Sequence, residues 1–164
     1  DPANSRQVIH ATAVLGDPQA INWLLVQMRT PTLTRYAGEA FTHITGIDLV
    51  THKLVLENIP ELDDVLPDDG AQNEELEVSD DLHLPFPDTN KLAAVWQKYQ
   101  QRFAMGHRYF MGQIIGNNQS TSDHLRHIYE TGNQRQRAAA ALELSLQESP
   151  QFLLNHGARV ITDE

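Results

Sequence analysis

Apolar residues recur at helical spacing over most of the chain, and the rhythm breaks once, between residues 47 and 87. Val8, Ala11 and Leu15 predict one apolar side of a first helix, which Gly16 closes as a C-terminal glycine. Asp17-Pro18 restarts a helix at once. Asp is a good N-cap, and Pro at the first helical position lacks only an N–H that would have had no partner. Ile21, Leu24, Leu25 and Met28 follow at the i, i+3, i+4, i+7 spacing of a single apolar stripe. Thr30-Pro31 repeats the cap-then-proline device, and Leu33, Ala37, Ala40, Phe41 and Ile44 make the next stripe before Gly46 ends it. Joints this short require neighbouring helices to pack antiparallel.

Helical spacing returns after Asp88, where Leu92, Val95, Trp96, Tyr99 and Phe103 form an aromatic-rich stripe closed by Gly106. Residues 108–118, with Gly112 and Gly116, read as a connector with room for one helical turn. Ser122 is placed to cap a short helix carrying Leu125, Ile128 and Tyr129, which stops at Gly132. A last long helix is expected over residues 133–147, with Ala138, Ala141, Leu142, Ser145 and Leu146 inward. Its small alanines allow close helix approach. Pro150 opens a final turn around Phe152, Leu153 and Leu154, and residues 161–164 are expected to fray. The fold class predicted is all-α: antiparallel helical repeats, a fragment of an α-solenoid, interrupted by one long insertion. The division expected is helices over 1–46, an acidic and Pro-rich insertion over 47–87 packed on or draped over them, and further repeats of the same domain over 88–164.

Within the insertion, Leu49 to Leu56 reads as a short strand or extended segment, and Pro60, Pro67, Asp69-Gly70, Pro85 and Pro87 punctuate the rest as loop. Loops of this length are uncommon in compact domains unless they serve a purpose. Leu62, Val65, Leu66, Leu76, Val78, Leu82, Leu84 and Phe86 supply apolar anchors, which favours a partly ordered segment over free coil. Charge sets it apart further. No Lys or Arg lies between Lys53 and Lys91, while Glu57, Glu61, Asp63, Asp64, Asp68, Asp69, Glu74, Glu75, Glu77, Asp80 and Asp81 contribute half of the 22 acids of the chain. The net charge of −10 therefore resides in this segment, and the remaining acids nearly balance the 12 bases. Such a segment repels phosphate and attracts cationic surfaces, so a protein partner with a basic surface is expected and nucleic-acid binding is not.

With 164 residues the chain is long enough to bury roughly two thirds of its unfolded surface. It has no cysteine, which excludes disulfides, thiolate metal sites and cysteine nucleophiles and fits a reducing, cytoplasmic setting. No apolar run approaches a membrane span and no signal pattern opens the chain, so a soluble protein without a membrane partner is expected. Its start at Asp1-Pro2, directly ahead of a helical pattern, suggests a piece of a longer protein.

Candidate chemistry is sparse. His124 and His127 are three apart, Glu39 and His43 four apart, so each pair shares a helix face, but no third ligand is placed by sequence. Polar histidines are the simpler reading. Gly112 and Gly116 flank Gln-Ile-Ile with no Lys-Ser/Thr, so no phosphate loop is present. A serine nucleophile has no elbow motif. The pairs Asp63-Asp64 and Asp80-Asp81 lie in a hydrated acidic segment, where carboxylates stay ionised rather than act as general acid and base. Arg126, Arg135 and Arg137 offer too few bases for phosphate binding and read as partners of acids. No catalytic residue, metal or cofactor is expected, and the chain reads as a binder rather than an enzyme. Trp23 lies beside the Ile21/Leu24/Leu25/Met28 stripe rather than within it, which makes it a candidate anchor for a partner.

The run Leu15-Gly16-Asp17-Pro18-Gln19-Ala20-Ile21-Asn22-Trp23-Leu24-Leu25 resembles the helix-turn-helix centre of HEAT-like repeats. Further resemblance lies in Ala37-Gly38-Glu39-Ala40-Phe41, in Ile44-Thr45-Gly46-Ile47-Asp48-Leu49, in Arg108-Tyr109 after Phe103, and in Gln134-Arg135-Gln136-Arg137 leading into Ala138 to Leu144. Together these look like the C-terminal half of an uncharacterised HEAT-like proteobacterial family, over most of the chain except the insertion. Some members resemble immunity proteins encoded beside type VI secretion effectors, including one that protects against a restriction-endonuclease-like toxin. The resemblance implies an antidote that occludes a cationic nuclease cleft. The binding residues expected are Glu61, Asp63, Asp64, Asp68, Asp69, Glu74, Glu75, Glu77, Asp80, Asp81 and Trp23. A HEAT-like scaffold or adaptor holding a peptide in its groove is the alternative. A HEAT-like lyase or glycosylase is disfavoured by the missing cysteine and the missing basic groove respectively.

Overall fold

The computed structural model describes residues 2–59 and 83–147. Ten of the expected binding residues, Glu61, Asp63, Asp64, Asp68, Asp69, Glu74, Glu75, Glu77, Asp80 and Asp81, lie outside them, as do the turn expected around Phe152 and the chain end. The described chain is mostly helical: α1 (Pro2–Leu15), a 3-10 turn (Pro18–Ala20), α2 (Ile21–Gln27), α3 (Thr34–Thr45), α4 (Thr89–Tyr99), a 3-10 turn (Gln100–Arg102), α5 (Gln119–Thr131) and α6 (Gln134–Gln147). A two-stranded ribbon of β1 (Arg108–Phe110) and β2 (Gln113–Ile115) is the one sheet among the described residues. The chain divides into two compact units, residues 1–112 and 113–164, at the turn of that ribbon.

In the first unit α3 packs on both α1 and α2, and α2 also meets α4. The stripes expected of α2 and α3 are the core: Ile21, Leu24, Met28, Leu33, Ala37, Ala40, Phe41 and Ile44 are buried, with Leu25 packed at the edge. Leu92 and Trp96 join them from α4. Asp17 and Asp88 act as N-caps, Asp17 accepting from the Gln19 N–H and Asp88 from those of Asn90 and Lys91. Thr30-Pro31 does not start α3. The helix begins at Thr34, whose buried hydroxyl donates to Met28 O and Thr30 O and fills the turn between α2 and α3.

α1 presents another face than expected. Ile9 and Ala13 are buried, whereas Val8 and Leu15 are 51% and 62% exposed. The two stripes differ little in apolar content, and packing on α3 selects the one that includes Ile9.

Residues 108–112, expected to hold at most a helical turn, instead form a strap across two helix ends. The Tyr109 N–H donates to Gly16 O after α1, the Met111 N–H to His43 O and the Gly112 N–H to Ile44 O in α3. The Arg108 guanidinium donates to Leu15 O and Val14 O. A cation at the C-terminal end of α1 is placed favourably for the helix dipole. Carbonyls that a helix end leaves without partners are thus satisfied by one distant segment. Gly16 and Gly46 sit at the two ends with φ of 68° and 70°, and a Cβ on either would meet strap backbone, Tyr109 O for Gly16 and Met111 O for Gly46.

In the second unit the described helices α5 and α6 form a hairpin. Ser122 in the first turn of α5 meets Gln147 at the end of α6, so the two helices run antiparallel. Asn118, and not Ser122, caps α5 by accepting from the Thr121 N–H. Asn133 and Gln136 cap α6 reciprocally: the Gln136 N–H donates to Asn133 Oδ1, and the Asn133 N–H to Gln136 Oε1. Leu125, Ala140, Ala141 and Leu144 are buried, while Leu142 and Leu146, expected inward, are exposed.

Candidate functional site

The described residues on either side of the acidic segment meet at one place. Residues 48–53 form a turn in which the Asp48 carboxylate accepts from the Thr51 N–H, and Lys53 is left-handed with φ 56°. The Thr51 N–H is the main cause of an Asp48 pKa below the usual value; burial opposes it. Extended chain is therefore confined to Leu54–Leu56, shorter than the 49–56 expected. These three residues pair antiparallel with Phe86–Asp88, Leu56 N donating to Phe86 O at 3.0 Å and Asp88 N to Leu54 O at 2.7 Å, around a Val55–Pro87 bridge. In this pattern the bridged residues exchange no hydrogen bond with each other, so proline at 87 costs the ladder nothing.

Both feet of this neck are fixed. Leu54, Leu84 and Phe86 are buried. Arg35, on α3, donates to Leu84 O and lies over the Phe86 ring at 5.2 Å. Pro87 rests on Gly38, where a Cβ would come within 2.9 Å of its ring. Lys91 bridges the feet, donating to Lys53 O at 3.4 Å and pairing with Asp88 at 3.6 Å. Glu57, the first acid of the segment, is exposed just beyond the neck. The described residues that flank the acidic run, Leu54–Leu56 before it and Phe86–Asp88 after it, are therefore paired with each other beside α3 and α4. The sequence does not single out Arg35. Its one signal was Gly38, since an interior helix glycine costs about 1 kcal/mol relative to alanine and so marks a close approach.

Trp23 is 37% exposed on α2, with Val26 beside it at 59%. Its position off the buried stripe is as the sequence placed it. Trp96 belongs to the core instead, stacked at a tilt on Phe103, and its indole N–H finds no acceptor among the described residues.

The buried ionisable group with the largest perturbation is His43, in the last turn of α3. It is 9% exposed, its ring meets the Phe110 edge-on at 4.7 Å, and its Nε2 has no hydrogen-bond partner among the described residues. Burial is the main cause, and the charge of His10 the lesser, of a pKa lowered to about 4. A helix C-terminus favours a cation by only about 0.3–1 kcal/mol, too little to offset the lost hydration. Glu39 and His43 do not form part of a metal cluster, because no three His, Asp or Glu converge among the described residues. In the basic group of the second unit, Arg137 stacks over Tyr129 at 5.6 Å.

No described helix is long and apolar enough to cross a membrane. Comparison with family models, with curated proteins and with solved structures gives no match.

Proposed function

We propose that the chain is a HEAT-like protein-binding module, acting in the cytoplasm as the immunity protein of a type VI secretion nuclease toxin and covering the cationic active cleft of that toxin. The observation that carries this reading is the neck: the residues flanking a run of eleven carboxylates with no intervening base are paired with each other and clamped to a helical support. A nuclease cleft is cationic because it must hold phosphate. A concentrated negative segment steers toward such a cleft and competes for the same charges. Anchoring both ends limits the conformational freedom lost on binding, which leaves more of the contact energy as affinity. The toxin identity rests on the family resemblance in the helical motifs; the preference for a basic partner rests on charge alone.

A scaffold or adaptor role is the second reading, favoured by the exposed Trp23 and Val26 on α2. The test is direct. The purified chain is mixed with the purified product of each adjacent gene, and binding and nuclease activity are measured. Stoichiometric binding with loss of nuclease activity supports the antidote. Binding to a partner without nuclease activity moves the assignment to the adaptor, and no binding by any neighbour removes the immunity reading.

A further inference from the structure

We propose that His43 is a proton-sensitive latch, which holds the strap of residues 108–112 on the end of α3 while its ring is neutral and releases it when the ring takes up a proton. His43 touches the strap twice: its carbonyl accepts the Met111 N–H at 2.6 Å, and its ring lies against Phe110. Nε2 has no partner among the described residues, so a proton there gains no acceptor from them unless the ring becomes hydrated.

The surrounding charges offer little relief. From α1 come His10, whose charge disfavours a second cation, and Arg6, stacked over Tyr36 at 5.1 Å. α2 brings no ionisable side chain. From β1, Arg108 is engaged with the carbonyls of α1, and the Tyr109 hydroxyl accepts from the Ala104 N–H. On α3 itself Arg35 is held at Leu84 O, and Glu39 is the one carboxylate. Asp48 is engaged with Thr51, and Asp88, at the neck, with Lys91.

The strap is held to the ends of α1 and α3 by three backbone hydrogen bonds and to α1 also by the Arg108 guanidinium, with Tyr109 and Phe110 buried. It keeps Met111 at φ 47°, which disfavours a residue with a side chain and gives the strap a conformation to relax from. The sign follows from the lowered pKa: the open form binds the proton more tightly, so the closed form is favoured above the ordinary histidine value near 6.5 and loses ground down to about 4.

Hydrogen exchange on the wild-type chain, corrected for intrinsic rates, tests this at pH 7 and pH 5, with the His43 ring titrated by NMR. The expected result is a loss of about 25-fold in protection at the Met111 and Gly112 amides. Protection inside α3, at Ala40 and Phe41, stays, and His43→Leu abolishes the loss at the strap. Titration of His43 above pH 6 overturns the latch, as does equal loss in α3 and strap, which would mark global unfolding. Should His43→Leu not fold, the wild-type exchange pattern decides alone.

Discussion

Gly16 and Gly46 illustrate how single positions hold this fold. Each ends a helix in left-handed backbone, and each has strap backbone where a side chain would begin. Alanine at either site combines an unfavourable φ with a clash against main chain, so Gly16→Ala and Gly46→Ala are each expected to destabilise the first unit by about 2 kcal/mol or more in urea unfolding. Trp23 is the contrasting case. Because 37% of it is exposed, Trp23→Ala is expected to leave cooperative unfolding intact while weakening a partner that uses α2 by about tenfold or more, measured by calorimetry. Unchanged affinity would remove Trp23 from the binding surface. Asp17, Gly16 and Gly46 were legible from sequence because capping depends on neighbours within a few residues. Arg35 and His43 were not, since what gives them meaning is Leu84 and Phe110, far along the chain.

At the level of elements, the same division between local and distant causes separates what was read from what was missed. α2 and α3 have strong contrast between faces, and their buried residues match the stripes. α1 and the alanine-rich α6 have weak contrast, and there the phase was set by packing: Ile9 and Ala13 in place of Val8 and Leu15, Ala140 and Leu144 in place of Leu142 and Leu146. The strap was read as a connector because three-residue strands carry almost no pattern; its hydrogen bonds go to the ends of α1 and α3. The neck makes a prediction of its own. Val55 and Pro87 are already paired, so replacing residues 58–83 by a short Gly-Ser linker should preserve the helical circular dichroism and cooperative unfolding of the first unit. Loss of folding on that replacement would show that the segment is structural and would count against a role reserved for recognition.

For the whole molecule, charge dominates the expected behaviour. With a net charge of −10 concentrated in one segment, Asp63, Asp64, Asp68 and Asp69 changed together to Asn should slow association with a cationic partner about tenfold at low ionic strength. The difference should shrink at 1 M salt, where the screening length is about 3 Å. Stopped-flow rates across a salt series measure this, and a parallel salt dependence for both proteins would exclude steering by the segment. The acidic run itself was visible in the sequence, whereas its closed base was not, because a bridge between residues 55 and 87 leaves no local signature. That closure has an evolutionary corollary. A stretch moored at both ends can be lengthened, shortened or rewritten with little effect on its support, and doubling such a loop adds only about 0.6 kcal/mol of closure entropy. Descendants of one helical platform could thus exchange their specificity for new targets by editing a single cassette, leaving Arg35, Gly38 and Pro87 to grip whatever is inserted.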